Sequence, residues 1–66
     1  MKNFRENTKK ILKERGLSQR KLAIKMGVAP QTLWKWLNEE GNDPSLERFI
    51  QICQILEVSS TELLAI

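Results

Sequence analysis

Ser18-Gln19-Arg20-Lys21-Leu22-Ala23-Ile24-Lys25-Met26-Gly27-Val28-Ala29-Pro30-Gln31-Thr32-Leu33-Trp34-Lys35-Trp36-Leu37-Asn38 is the stretch that decides the fold. It holds two short helical patterns and their stop and start signals. Ser18 is a good N-cap, and Leu17 and Leu22 have the spacing of a hydrophobic staple. Leu22, Ala23 and Met26 fall on one face, and Gly27 closes this helix, predicted over Gln19–Met26. After the short connection Gly27-Val28-Ala29, Pro30 stands where a first helical residue needs no N–H. The next helix is predicted over Pro30–Asn38, with Leu33, Trp36 and Leu37 as its inward stripe. Gln31, Thr32, Trp34, Lys35 and Asn38 are left to face outward.

The flanks read as helices too. Helix 1 is predicted over Phe4–Arg15, capped by Asn3 with Glu6 three residues on, and ended by Gly16. Phe4, Thr8, Ile11 and Leu12 share its inner face. Glu39-Glu40-Gly41-Asn42-Asp43-Pro44 reads as a loop. Ser45 caps helix 4, which is expected to bury Leu46, Phe49, Ile50, Cys53 and Leu56. Ser59-Ser60-Thr61-Glu62 has the form of a capping box opening a last short helix, with Val58 and Leu63 at staple spacing. The expected class is all-α: a compact five-helix bundle forming a single domain over residues 1–66.

The 66-residue chain carries a net charge of +3, which conceals an asymmetry. Residues 1–38 hold ten Lys/Arg against two acids, for +8; residues 39–66 hold one Arg against six acids, for −5. A basic half suits either a polyanion or a solvated lysine-rich face. One cysteine and no histidine rule out an internal disulfide and argue against zinc. Cys53 is expected to act as a small buried hydrophobe. The charged N-terminus lacks the apolar region of a secretory signal, and no apolar run approaches membrane-spanning length, so a cytoplasmic setting is expected. With no glycine-rich phosphate loop and no carboxylate pair in an evident cleft, no enzyme activity, cofactor, metal or small-molecule substrate is expected.

Two short helices joined by a tight glycine-containing turn are the supersecondary unit that places a helix in the DNA major groove. The pieces Gly16-Leu17-Ser18-Gln19, Leu22-Ala23, Lys25-Met26-Gly27-Val28 and Gln31-Thr32-Leu33 resemble the motif of the Cro/phage-repressor (XRE) helix-turn-helix family. Asp43-Pro44-Ser45-Leu46, Leu56-Glu57-Val58-Ser59 and Glu62-Leu63-Leu64 resemble its later landmarks, so the likeness spans nearly the whole chain. It implies a repressor-type five-helix domain that binds double-stranded DNA and regulates transcription, often as a homodimer on a pseudo-palindromic operator. It places Pro30, Gln31, Thr32 and Lys35 at base edges. It puts Gln19 on phosphate, bracing the recognition helix, and Asn38 near the backbone. Ser18 and Arg20, at the start of the second helix where free N–H groups can meet phosphates, join the expected backbone contacts.

Three departures qualify the likeness. Leu12 and Leu37 stand where the family commonly has an Arg–Glu pair, which implies an apolar contact instead. The loop Glu39–Asp43 is acidic and about one residue longer, so it is expected to turn from DNA or face a partner. Pro30 offers no donor, which moves direct readout to Gln31, Thr32 and Lys35. Trp34 fits a contact to a thymine methyl, a sugar or a protein, and equally fits lying over its own helix. Trp36 is expected in the core. The competing function is an antitoxin-like or adaptor module that keeps the fold without DNA readout and uses Trp34, the acidic loop, Leu64 and Ile66.

Overall fold

Five helices account for most of the chain in the computed structural model, which describes residues 2–65: α1 Lys2–Glu14, α2 Gln19–Met26, α3 Pro30–Asn38, α4 Leu46–Leu56 and α5 Ser60–Leu64. They enclose one core about Phe4 and Leu12 of α1, Leu22, Ala23 and Met26 of α2, and Leu33 and Leu37 of α3. Phe49, Ile52, Cys53 and Leu56 of α4 and Leu63 of α5 complete it. The Phe4 and Phe49 rings sit 5.6 Å apart at 56°, the tilted contact that aromatic quadrupoles favour, and so join α1 to α4.

Local signals set most helix ends. Ser18 accepts from the Lys21 N–H, and Gly27 closes α2 at φ 74 with its N–H turned back to Ala23 and Ile24. Gly16, at φ 63, reverses the chain after α1, where the Leu17 N–H returns to the Leu12 carbonyl. Ser45 caps α4. Ser59 and Glu62 make both bonds of the capping box at α5.

Three expectations are corrected. Asn3 lies inside α1, so it lacks the extended backbone that an N-cap needs. Leu46 and Ile50 of α4 do not enter the core: they are 72% and 45% exposed, and Ile52 takes a fully buried place instead. The buried set Phe49, Ile52, Cys53 and Leu56 is one stripe at helical spacing, and Leu46 and Ile50 fall to one side of it. Trp36 is half-buried, packed against the core rather than within it.

Long-range polar contacts finish the helix ends that local residues leave open. Arg48 of α4 donates to the Met26 carbonyl at 3.0 Å, and Gln51 reaches the same oxygen at 3.1 Å. Arg15 donates to the Leu56 carbonyl at the end of α4. Asn7 donates to Leu63 and Ala65 at the end of α5. These side chains satisfy C-terminal carbonyls that have no partner within their own helices, and the two arginines bring positive charge to negative dipole ends.

Candidate nucleic-acid interface

The helix-turn-helix is α2, the turn Gly27-Val28-Ala29, and α3. Leu33 and Leu37 are buried, which fixes the rotation of α3 and turns its other face out. Pro30, Gln31, Thr32, Lys35 and Asn38 are all exposed there, as the outward pattern predicts. Trp34 joins them at 50% exposure. At the start of α2, Ser18 and Arg20 are exposed and Gln19 is half-buried.

The N-terminal ends of α2 and α3 differ from those of α4 and α5. The later pair carry Glu47 and Glu62 in their first turns, next to their own positive dipole ends. Neither α2 nor α3 has an acid there. In α2, Ser18 takes up the Lys21 N–H, and helix geometry leaves the Gln19 and Arg20 N–H groups pointing outward. In α3, Pro30 has no N–H, and the Thr32 and Leu33 N–H groups both turn back to Ala29, which leaves that of Gln31. These ends are suited to an anion.

A side-chain relay joins the two helices. Asn38 donates from Nδ2 to the Trp34 carbonyl at 2.9 Å and to Gln19 Oε1 at 3.5 Å. The Trp34 carbonyl can only accept, so the Asn38 atom facing it must be the amide nitrogen. That nitrogen in turn faces the Gln19 oxygen, which leaves Gln19 Nε2 as a donor outside the relay. Gln19, half-buried, and Asn38, exposed, thus meet where α2 packs on α3.

Outside α1, the basic side chains divide into two groups. Arg20, Lys21, Lys25 and Lys35 are exposed on α2 and α3. Arg15 and Arg48 are committed to helix ends on α4 and α2, a division that counting charges does not reveal. Asn42 donates to Glu39 at 3.1 Å within the acidic loop, and Glu39 closes α3 with an extended backbone, which ends the outward face of α3 at Asn38.

Cys53 is buried, and burial pushes its thiol above the usual range. Among the described residues no group of His, Cys, Asp and Glu is placed to hold a metal, and no helix is long and apolar enough to cross a membrane.

Comparison with known proteins agrees with this architecture. No curated protein matches the chain. The helix-turn-helix family model matches residues 9–63, from the middle of α1 into α5. With two short helices packed across a left-handed glycine turn and a match over most of its length, the chain belongs to the Cro/phage-repressor type of helix-turn-helix DNA-binding family.

Proposed function

We propose that the protein is a sequence-specific transcriptional regulator, acting as a repressor in the cytoplasm, that inserts α3 into the major groove. The observation that carries this reading is the outward face of α3. Gln31, Thr32 and Lys35 are exposed together on a helix whose opposite side is locked into the core. Gln31 can donate to and accept from an adenine edge at once, and Lys35 suits guanine or phosphate. Thr32 adds a shorter donor and acceptor, and Pro30 a rigid apolar edge without a donor. Ser18, Gln19 and Arg20 approach one phosphate strand at the start of α2: the Ser18 hydroxyl keeps its hydrogen, Gln19 offers Nε2, and Arg20 offers charge. Asn38 acts on the backbone through its hold on Gln19.

One such domain reads too few base pairs for useful specificity, so the active form is a homodimer on a two-fold operator. Exposed Leu46 and Ile50 of α4 and Leu64 of α5 supply apolar surface on helices other than α3. Ile66, which the sequence offers with Leu64 as an interaction surface, lies outside the described residues.

Selection from random duplexes at fixed salt tests the reading. The expected product is a pseudo-palindrome with half-sites roughly 34 Å apart, bound by two chains, with affinity falling steeply as salt rises. Recovery of no preferred sequence, together with tight binding to a protein, would favour the antitoxin-like or adaptor function instead.

A further inference from the structure

Trp34 is the one large apolar side chain on the outward face of α3, and the reading above gives it no task. It stands outside the core and outside the residues packed on the core's edge. Leu33 and Leu37 fill the core, and Trp36 packs against the core's edge. Trp34 leaves half its surface in water. We propose that Trp34 reads the 5-methyl group of a thymine in the major groove. It would be a specificity-determining residue beside Gln31, an inference that rests on α3 being the reading helix.

Three features point to that ligand. The first is placement. At about 100° per residue, Trp34 lies some 60° around the helix from Gln31 and closer still to Asn38. It also lies about 4.5 Å further along the axis, against about 3.4 Å between base pairs. The indole therefore stands beside Gln31 and offset from it along the helix, within reach of a different base edge. The second is chemistry. Among major-groove base edges the thymine methyl is the only apolar group, and the indole face is the matching surface. The third is charge. Lys35 adjoins Trp34, and α3 contains no acid, so the patch around the indole is complementary to a polyanion rather than to an acid-repelled or neutral groove. Asn38 bonds the Trp34 carbonyl, and this holds the backbone that carries the ring.

The test substitutes deoxyuridine for each thymine of the selected duplex in turn, which removes only the methyl group. Binding is measured for the intact protein and for Trp34→Ala, with thermal melts confirming that the variant folds. For the intact protein, one position per half-site should lose roughly three- to tenfold in affinity, the effect of one methyl group left unburied. Trp34→Ala should bind the thymine and uracil forms of that position equally. Equal binding of both forms by the intact protein at every position would overturn the proposal, as would discrimination that persists in Trp34→Ala. A protein that bound no duplex at all would overturn the underlying reading as well, which separates the two failures.

Discussion

Asn38 holds Gln19 by its oxygen: the two carboxamides meet at 3.5 Å across the helix-turn-helix, with Asn38 anchored in turn on the Trp34 carbonyl at 2.9 Å. The end of α3 thus meets the first residue of α2. Gln19→Ala should weaken binding to all duplexes by about 1 kcal/mol, the worth of one hydrogen bond, without changing the preferred sequence. Asn38→Ala should cost less, and in the Gln19→Ala background it should cost almost nothing further. Filter or anisotropy titrations on a selected and a random duplex give the cycle; additive losses would mean that the relay does not position Gln19.

Leu12 and Leu37 are both buried in the common core, on helices α1 and α3 that pack together. Leu12→Arg or Leu37→Glu should each destabilise the fold by roughly 2–4 kcal/mol, because each leaves a charge among apolar neighbours. The double variant should regain part of that loss, as measured by urea denaturation. Losses that simply add would show that the two side chains do not interact.

Thr8 is fully buried one turn from Phe4 and from Leu12, and among the described residues no hydrogen bond satisfies its hydroxyl. Thr8→Val keeps the shape and removes the polar atom, so the melting temperature should rise, with a gain of about 1 kcal/mol. A lower melting temperature would show that the hydroxyl has a partner in solution.

Glu57 ends α4 in the left-handed region at φ 55. An L side chain there costs about 1 kcal/mol relative to glycine. Glu57→Gly should therefore stabilise the protein by about that amount in chemical denaturation, and a loss of stability would indicate that the Glu57 side chain contributes more than its backbone costs.

The helix-turn-helix was legible in the sequence because its boundaries are local. Ser18, Gly27 and Pro30 each act within one turn, and α2 and α3 span the predicted residues. The inward set of α4 was misplaced by one side. Leu46, Phe49, Ile50, Ile52, Cys53, Ile55 and Leu56 spread over roughly 220° of the helix at 100° per residue, and only the middle of that arc is buried, with Leu46 and Ile50 at its exposed edge. Arg48 and Gln51 of the same helix bind Met26. Those contacts cross more than twenty positions and leave no local signal, as does Arg15 at the end of α4. The same holds at the interface. Its exposed residues were readable from spacing, whereas the contact between Asn38 and Gln19 depends on how two helices meet.

Reading by α3 is tested most directly by Gln31→Ala, compared with the unaltered protein on a selected duplex and on random duplex over a salt series, with Lys35→Ala alongside. Gln31 is exposed in the first turn of α3, the end nearest the bases in this docking mode. Gln31→Ala should lose about 1–3 kcal/mol on the selected duplex, relax the preference at one base position and leave the salt slope intact. Lys35→Ala should reduce that slope by about 1 if its ammonium neutralises a phosphate. Unchanged affinity and unchanged preference in Gln31→Ala would contradict the assignment of α3 as the reading element.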